Sequence, residues 1–295
     1  MKVLVTGASG FIGSRLASKL IEKNHSVFGL VHKNKPLNPE IKIINGDLTD
    51  SKFRIPDEKF DVVFHLAAVT PMEKNKKKIK NVNYEGTVNL FNHIQNKTNF
   101  FVYVSGLGAF GDPGNKIIDE NTPLSPNTDY TKIRLKAQQF LEKKCKEHSI
   151  HFSVAYLGEV YGNGGWFTSQ IVSRLKKGRF RMPKSGEYYR CFVHVDDVVN
   201  SLIVIAENHA HDQSFVITDS TPSLFKDFIN FTCDKLEVKH PGSVPMFLAK
   251  TVLGGDFVKL LTTSIKTSNE KISKIHNIQY PSYKEGIESF ISKIK

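Results

Sequence analysis

Residues 2–23, "KVLVTGASGFIGSRLASKLIEK", predict three consecutive structural elements. The β-branched run at 2–6 is typical of a short buried strand. The apolar residues Leu16, Leu20 and Ile21 then recur at the spacing of one helical face. A glycine-rich turn lies between them, so the stretch is predicted to form a strand, a tight turn and a helix.

The turn carries three glycines at a spacing that suits a bound dinucleotide. Glycine at these positions lets the chain turn tightly, bring its backbone close to a pyrophosphate and pack the helix against the strand. Free N–H groups at the start of the helix would face the phosphates. The cofactor contacts predicted around this turn are Gly7, Ser9, Gly10, Phe11, Ile12 and Gly13.

The next predicted strand ends in basic residues, at a position where proteins that select NAD usually offer a carboxylate. His32, Lys33 and Lys35 follow the run "HSVFGLV" at 25–31. Basic side chains there suit the 2′-phosphate of NADP. NADP is therefore the preferred cofactor, and NAD is the alternative if these side chains are only solvated.

Composition indicates one large globular domain or two interleaved ones, because 295 residues with 40% hydrophobic content can bury a sizeable core. No apolar run reaches the roughly 18 residues of a membrane span, and the N-terminus lacks an apolar signal segment. We expect a cytoplasmic protein without stable membrane insertion.

Cys145, Cys191 and Cys233 lack the spacing of a metal site, and no metal is expected.

The net charge of +12 raises the question of nucleic-acid binding, and the densest basic run is "EKNKKKIK" at 73–80. Aromatic residues do not interleave with that run, and no nucleic-acid-binding motif is present. We expect no nucleic-acid partner. An anionic small molecule fits the charge equally well.

Short apolar runs alternate with helical stretches along the chain, which indicates a parallel sheet with helices on both faces. The predicted class is α/β, with a Rossmann-type doubly wound sheet and a smaller C-terminal lobe. The runs are "KVLVT", "SVFGLV", "IKII", "DVVFHLAA", "FFVYVS" and "HFSVAYL".

Further segments make the chain similar to one known family. They are "TGASGFIG" at 6–13, "GDLTD" at 46–50, "HLAA" at 65–68, "NVNYEGTVNL" at 81–90, "YVSGLGAFG" at 103–111, "DYTKIR" at 129–134 and "GEYYRCFVHVDDV" at 186–198. In order and spacing they resemble the extended short-chain dehydrogenases/reductases of the epimerase/dehydratase and 3β-hydroxysteroid-dehydrogenase-like kind. The resemblance runs nearly from end to end.

The resemblance implies further cofactor contacts and a division of the chain. The contacts that it implies are Asp47, Leu48, Leu66, Ala67, Ala68, Tyr130, Arg134 and Leu157. "SFVITD" at 214–219 should return to the sheet. The NAD(P)-binding domain should comprise residues 1–162, with 192–219 packing back onto it, and the substrate-binding lobe should comprise 163–191 and 220–295.

Tyr130 falls on the family's catalytic tyrosine, but Arg134 replaces the lysine that usually follows four residues later. On a helix this spacing places both side chains on one face, so Arg134 can supply a positive charge that lowers the pKa of Tyr130. Unlike lysine, arginine keeps its proton and cannot relay it. Asn83 falls on an asparagine that is structurally important in the family.

A second departure lies at Gly106, where the family has a catalytic hydroxyl. Loss of one such donor costs other enzymes roughly a hundredfold to a thousandfold in rate. Ser105 is adjacent but is expected to point to the opposite face of the strand, and Thr70 is another candidate hydroxyl. Glycine at 106 could instead mark a tight bend or a close approach of substrate.

Three residues are candidates for substrate binding, namely Ser105, Trp166 and Arg190. Arg190 falls where relatives that act on nucleotide-linked sugars place an arginine near the diphosphate, and its alternative role is a structural ion pair with Asp196 or Asp197. Trp166 follows a glycine pair on a predicted loop, where it could stack on a ring or anchor the core. The apolar segment 244–261 predicts two short packing helices around a Gly-Gly pair, and its alternative role is to line a lipid-like substrate pocket or to touch a membrane.

These features favour an NAD(P)-dependent oxidoreductase or epimerase/dehydratase acting on a nucleotide sugar or a related hydroxyl or ketone compound. The alternative is an NADP-binding sensor or scaffold with little or no turnover, which Gly106 and Arg134 favour. The expected partners are a small-molecule substrate and, as one assembly to consider, a second copy in a homodimer.

Overall fold

The structure is a computed structural model that describes residues 1–34 and 36–294. Lys35, one of the basic residues predicted to face a 2′-phosphate, lies outside the described residues. The strands, in chain order, are β1 (Lys2–Thr6), β2 (Ser26–Val31), β3 (Lys42–Asn45), β4 (Val62–His65), β5 (Phe100–Gly106), β6 (Ile117–Ile118), β7 (His151–Leu157), β8 (Glu159–Tyr161), β9 (Met182–Pro183), β10 (Tyr189–Arg190), β11 (Phe192–His194), β12 (Ser214–Ile217), β13 (Ser223–Leu224), β14 (Ser243–Val244) and β15 (Lys266–Thr267).

Helices follow most of the sheet strands, as the alternating sequence pattern predicts. The α-helices are α1 (Phe11–Glu22), α2 (Lys76–Lys80), α3 (Gly86–Ile94), α4 (Asp129–Glu147), α5 (Ser173–Lys176), α6 (Val195–Glu207), α7 (Phe225–Leu236), α8 (Met246–Leu253), α9 (Gly255–Thr262), α10 (Glu270–Ser273) and α11 (Tyr283–Ile291). Two π-helical turns occupy Asn81–Glu85 and Phe167–Val172. None of the helices in the described part of the chain has the length and apolar character that a membrane span requires.

Within the described residues, seven strands form one sheet in the order β12-β7-β5-β4-β1-β2-β3. β1 pairs in parallel with β2 and β4, β2 with β3, and β4 with β5. The strands that follow β1 in sequence are added to the sheet on both sides of β1. At such a point the loops at the ends of neighbouring strands leave a crevice, in which sheets of this kind bind ligands. The α/β prediction and the return of "SFVITD" as β12 are confirmed.

The residue contacts divide the chain into two compact units. Unit 1 comprises Met1–Ala109, Asp129–Tyr156 and Val199–Phe215, and unit 2 comprises Phe110–Thr128, Leu157–Val198 and Val216–Lys295. The chain passes between units within β7, α6 and β12. The sequence-based assignment of cofactor binding to one part and substrate binding to another stays a prediction.

The core of unit 1 forms because β1 and the apolar face of α1 exclude water together. Val3, Leu4 and Val5 are fully buried, and Leu16 and Leu20 of α1 are buried as the helical spacing predicts. Burying a side chain of this size contributes about 1.5–3 kcal/mol relative to leaving it exposed. The core therefore fixes where the glycine turn lies at the end of β1.

Unit 2 has a core of its own that is rich in aromatic rings. Phe192 and Phe228 stack with ring centroids 4.0 Å apart, and Phe167 and Phe290 belong to the same buried cluster. Such ring pairs add about 0.5–1.5 kcal/mol beyond the burial of their area. In this unit Gly254 separates α8 from α9, as the segment 244–261 predicts.

Candidate functional site

A cavity of about 620 Å³ lies in unit 1, and its walls include the turns that follow β1, β2, β3 and β4. Many predicted cofactor residues come together there. Those that line it are Gly7, Ser9, Gly10, His32, Lys33, Asp47, Leu48, Ala67 and Ala68.

The other predicted cofactor residues are not part of this lining. Phe11 and Ile12 are half-buried in α1, and Leu66 is half-buried after β4. Gly13 is buried beneath the turn, while Tyr130 and Arg134 lie on α4. Their contacts with a cofactor stay predictions.

Glycine is required in the turn because the backbone approaches its neighbours closely. Gly7 has φ of +69°, and a Cβ there would lie 3.1 Å from the Cα of Ala67. A Cβ on Gly13 would lie only 2.2 Å from the carbonyl oxygen of Gly7. In the described chain no side chain caps Gly10 at the start of α1, which leaves the first N–H groups of that helix for a ligand.

Basic and acidic side chains meet on the wall formed after β2 and β3. His32 Nε2 lies 3.2 Å from Asp47 Oδ2. Partial burial acts to raise the pKa of Asp47, but hydrogen bonds from Thr49 and the charges of His32 and Lys33 outweigh it and lower the pKa. Asp47 therefore stays ionised at neutral pH and offsets part of the positive charge on this wall.

α2 brings lysines to the same cavity, which the sequence analysis missed. Lys77 and Lys78 line it, and both come from the basic run at 73–80. Lys78 Nζ lies 2.6 Å from Glu73 Oε2, whereas the Lys77 ammonium has no partner among the described residues. The other lining residues that sequence reasoning missed are Leu30, Val31, Asn34, Gly46, Thr49, Val69, Asn75, Asn81 and Val82.

His65, at the end of β4, is a buried structural residue. Its Nδ1 lies 2.8 Å from Thr6 Oγ1, and its Nε2 lies 2.9 Å from Thr87 Oγ1. The Thr87 hydroxyl donates its proton to the carbonyl oxygen of Asn83. The same hydroxyl must therefore accept a hydrogen bond from His65, so the ring proton of His65 is assigned to Nε2. Burial, followed by the charge of Arg134, lowers the pKa of His65 to about 3.

Two polar side chains hold the loop after β4 in place. Thr6 Oγ1 accepts hydrogen bonds from the N–H groups of Leu66 and Ala67. Asn83 is fully buried in the first π-helical turn, where its side chain accepts from the N–H of Val69 and donates to the Val69 carbonyl. Asn83 therefore positions the cavity wall, because both ends of its amide bind backbone.

Tyr130 and Arg134 share α4, so the predicted juxtaposition on one helical face is present. Tyr130 is half-buried. Burial raises its pKa, and the charge of Arg134 lowers it without offsetting that effect, so the net direction is upward. The sequence predicts a lowered pKa from the charge of Arg134 alone, and the prediction was wrong because desolvation of the phenol outweighs that charge.

Arg134 is buried against β5. Its Nη2 donates to the carbonyl oxygen of Val104, and its Cζ lies 4.6 Å from the centre of the Tyr103 ring. The Tyr103 hydroxyl in turn donates to the carbonyl oxygen of Arg134 at 3.2 Å. These contacts hold the guanidinium in place, so its charge acts from a fixed position.

The candidate hydroxyl positions differ in exposure. Gly106 is the last residue of β5 and is half-buried, while Ser105 beside it is buried. Thr70 is exposed in the loop after β4. The catalytic roles expected at these positions stay predictions.

In unit 2, Arg190 is a buried member of an ion pair. Its Nη2 contacts Glu159, and its Nη1 donates to the carbonyl oxygens of Leu260 and Thr263, each at 3.0 Å. The alternative prediction of a pair with Asp196 or Asp197 was wrong about the partner. Sequence distance cannot identify Glu159, which lies on β8.

Asp197 and Trp166, also in unit 2, have structural contacts of their own. Asp197 is fully buried and accepts from the N–H groups of Gln279 and Tyr280. Trp166 Nε1 donates to the carbonyl oxygen of Val160 at 2.6 Å, and its ring packs on the aromatic core. Leu157, which the family resemblance implies as a cofactor contact, is buried at the end of β7, and that contact stays a prediction.

The chain matches the NAD dependent epimerase/dehydratase family over residues 3–218, from β1 through β12. It belongs to this family. The resemblance described from sequence motifs is thereby confirmed. One relative, UDP-glucose 4-epimerase of Lactobacillus helveticus, is 28% identical over 236 residues, which cover 69% of this chain and 71% of that protein.

Solved structures of family proteins have the same fold. UDP-glucuronic acid 4-epimerase from Bacillus cereus, in complex with UDP-glucuronic acid and NAD, superposes with a TM-score of 0.83 at 20% identity, covering 100% of this chain and 99% of that one. A human epimerase family protein with NADPH superposes with a TM-score of 0.82 at 18% identity, covering 99% of both chains. At these identities the likeness shows the fold alone.

Proposed function

We propose that this protein is an NADP(H)-dependent enzyme that oxidises a hydroxyl-bearing carbon, or reduces the corresponding carbonyl carbon, of a nucleotide sugar or a related compound. The observation that carries the proposal is the cavity of unit 1, where the glycine turn and several cationic side chains meet. UDP-glucose 4-epimerase among its relatives supports the substrate class. Family membership supports the kind of chemistry.

The residues of the cavity suit a nicotinamide dinucleotide. The backbone at Gly7 and Gly10 lines the cavity, and the uncapped start of α1 offers N–H groups to a diphosphate. His32, Lys33 and Lys77 offer positive charge to a 2′-phosphate. When bound, the cofactor would accept or donate a hydride.

Tyr130 is the group that we assign to the reacting oxygen. Because burial keeps its pKa above the ordinary value, its phenol stays protonated at neutral pH and is ready to donate a proton to a carbonyl oxygen. The fixed charge of Arg134 stabilises the phenolate that remains. Arg134 holds its own proton, so the phenol must recover its proton from the substrate or from water.

A second candidate function is cofactor sensing without turnover. It is favoured by the absence of a hydroxyl at Gly106 and by the contact of the Arg134 guanidinium with the carbonyl of Val104. In that case the cavity would bind NADP while Tyr130 has no catalytic role. Turnover separates the two functions.

Calorimetric titration with NADP and NAD, followed by turnover assays on nucleotide sugars, alcohols and ketones, tests both parts of the proposal. We expect NADP to bind more tightly, and Tyr130→Phe to abolish turnover with nearly unchanged cofactor affinity, because the phenol oxygen acts at the reacting carbon. Arg134→Lys should retain activity, and Arg134→Met should lose it. Binding without turnover across the panel would favour the sensor, and no binding of either cofactor would refute both functions.

A further inference from the structure

A second cavity lies in unit 2, beside the N-terminal ends of two paired strands. β9 and β14 are parallel, and the segments that lead into them line a cavity of about 420 Å³, here named the Arg181 cavity. Its lining residues are Leu175, Gly178, Phe180, Arg181, Lys239, His240, Pro241 and Gly242. Arg190, the residue expected near a substrate diphosphate, is not among them.

The Arg181 cavity is cationic. The segment 174–184 contains six basic residues and no acidic one, and no carboxylate is among the described residues that line the cavity. The Lys239 ammonium has no partner in the described chain, and His240 Nε2 lies 2.6 Å from Asp234 Oδ1. The positive charges of Arg181 and Lys239 are therefore left for an anionic ligand.

The guanidinium of Arg181 is held by the backbone of its own loop. Its Nη1 donates to the carbonyl oxygens of Gly178 at 3.0 Å and Phe180 at 2.7 Å. These bonds leave the N–H groups on Nη2 and Nε for a ligand. A guanidinium held in this way suits a phosphate, because its planar fork can make two parallel hydrogen bonds.

The other wall of the Arg181 cavity is apolar and roomy. Phe180 packs on the aromatic core of unit 2 while it also lines the cavity, and Leu175 is buried beneath. A Cβ on Gly178 or Gly242 would meet no atom within 4 Å. Cavities with an apolar wall and a few fixed polar groups suit small molecules that carry a ring.

We propose that the Arg181 cavity binds a small phosphate ester that carries a planar ring, of which a nucleoside monophosphate is the representative. Arg181 and Lys239 bind the phosphate, and Phe180 contacts the ring. The site is separate from the cavity of unit 1 in its lining residues, and its existence does not depend on the proposed enzyme function.

Calorimetry on the full chain with adenosine monophosphate, inorganic pyrophosphate and adenosine tests this site. The variant pair Arg181→Gln/Lys239→Gln should weaken adenosine monophosphate binding by roughly tenfold or more, since hydrogen bonds to charged groups are lost. The matched pair Lys177→Gln/Arg179→Gln removes the same charge from the same basic segment without touching the lining, and should change affinity less than about twofold. Phe180→Leu should weaken adenosine monophosphate and leave pyrophosphate unchanged.

Several results would overturn the proposal. Unchanged affinity in Arg181→Gln/Lys239→Gln would place the ligand elsewhere, for example in the cavity of unit 1. Equal weakening by the two variant pairs would indicate diffuse attraction by surface charge. If adenosine monophosphate does not bind, while vesicles of phosphatidylcholine with phosphatidylglycerol bind through the same two residues, the phosphate comes from a lipid headgroup and the ring contact is refuted. Far-UV circular dichroism of each variant confirms that it is folded.

Discussion

At the scale of single residues, His65 holds together the end of β1, the end of β4 and α3. It bonds to Thr6 and Thr87, and Thr6 in turn accepts from the loop that lines the candidate cofactor cavity. A buried neutral imidazole with both nitrogens satisfied is favourable, whereas a buried imidazolium is not. The stability of this loop should therefore depend on pH.

His65 should make the protein less stable as the pH falls. Its pKa is about 3 in the folded chain and near 6.5 when unfolded, so only the unfolded chain binds this proton between those values. Its contribution is present above pH 6.5 and is lost as pH falls towards 3. From pH 7 to pH 5 it should lower the free energy of unfolding by about 2 kcal/mol.

Urea denaturation at pH 7, 6 and 5 measures this effect. His65→Gln should be less stable than wild type at pH 7 and should show a shallower pH dependence. His93→Gln, a half-buried control in unit 1, should keep the slope of the wild type. An unchanged slope in His65→Gln would contradict the assignment.

Gly106 should limit the rate of the proposed reaction. The substitution Gly106→Ser adds a hydroxyl at the end of β5, where the family has a catalytic one. We expect kcat to rise by roughly tenfold or more, because single donors to a developing charge are worth more than that in other enzymes. Steady-state kinetics with the best substrate from the panel give the answer, and a fall in kcat would mean that glycine makes room for the substrate.

At the scale of elements, α2 turns a basic run of sequence into part of a cavity wall. Only some of its lysines face the cavity, because a helix distributes neighbouring residues around its axis. Lys77 lines the cavity, whereas Lys76 pairs with Asp129 and does not. The two residues are therefore a matched pair for a test.

Lys77→Gln should weaken NADP binding more than NAD binding, by roughly tenfold for NADP, because a charge-assisted contact to the extra phosphate is lost. Lys76→Gln removes an equal charge from the same helix and should change both affinities little. Calorimetric titration of both variants with both cofactors is the measurement. Equal effects of the two substitutions would show that Lys77 acts only through net charge.

α11 packs closely on the core of unit 2 at Gly286. A Cβ there would lie 1.8 Å from the hydroxyl oxygen of Tyr161, so glycine lets the helix pack on the ring. That hydroxyl is buried and has no hydrogen-bond partner among the described residues. Burial, followed by the charge of Asp219, raises its pKa well above the ordinary value.

Tyr161→Phe should therefore raise the free energy of unfolding by about 1 kcal/mol, because it removes an unsatisfied buried polar group and keeps the ring. Gly286→Ala should lower it, since the added methyl group overlaps Tyr161. Urea denaturation at neutral pH compares both with wild type. A clear loss of stability in Tyr161→Phe would show that the hydroxyl has a partner.

At the scale of the whole molecule, part of the net charge of +12 lies at two cavities. Lysine and arginine side chains line both the cavity of unit 1 and the Arg181 cavity of unit 2. Both cavities suit anionic small molecules, in agreement with the interpretation that the charge serves phosphate-bearing ligands. Each should bind less tightly as salt is added, because added ions screen exposed charges.

NADP should stabilise the whole chain by mass action. At a hundred times its Kd, a ligand that binds only the folded state adds about 2.7 kcal/mol. We expect a higher Tm with NADP than with the same concentration of NAD, and a smaller shift at high salt. Thermal denaturation followed by circular dichroism measures it, and equal shifts for the two cofactors would remove the preference for NADP.

The sequence by itself determined the local features of this protein. The glycine turn, the strands of the sheet and the placing of Tyr130 and Arg134 on one helical face all follow from spacing over a few residues. Each depends on backbone sterics or on helical periodicity, which neighbouring residues set. These predictions are confirmed, since the folded chain keeps this local geometry.

The tertiary structure decided which distant groups meet. Lys77 reaches the cavity, Arg190 pairs with Glu159 rather than Asp197, and burial raises the pKa of Tyr130 against the effect of its neighbour. These three outcomes do not follow from the spacing of residues along the chain. The loops determine which side chains come close together, and the packing determines how far each side chain is removed from water. Desolvation and pairing are properties of the folded surroundings, so only the folded chain defines them.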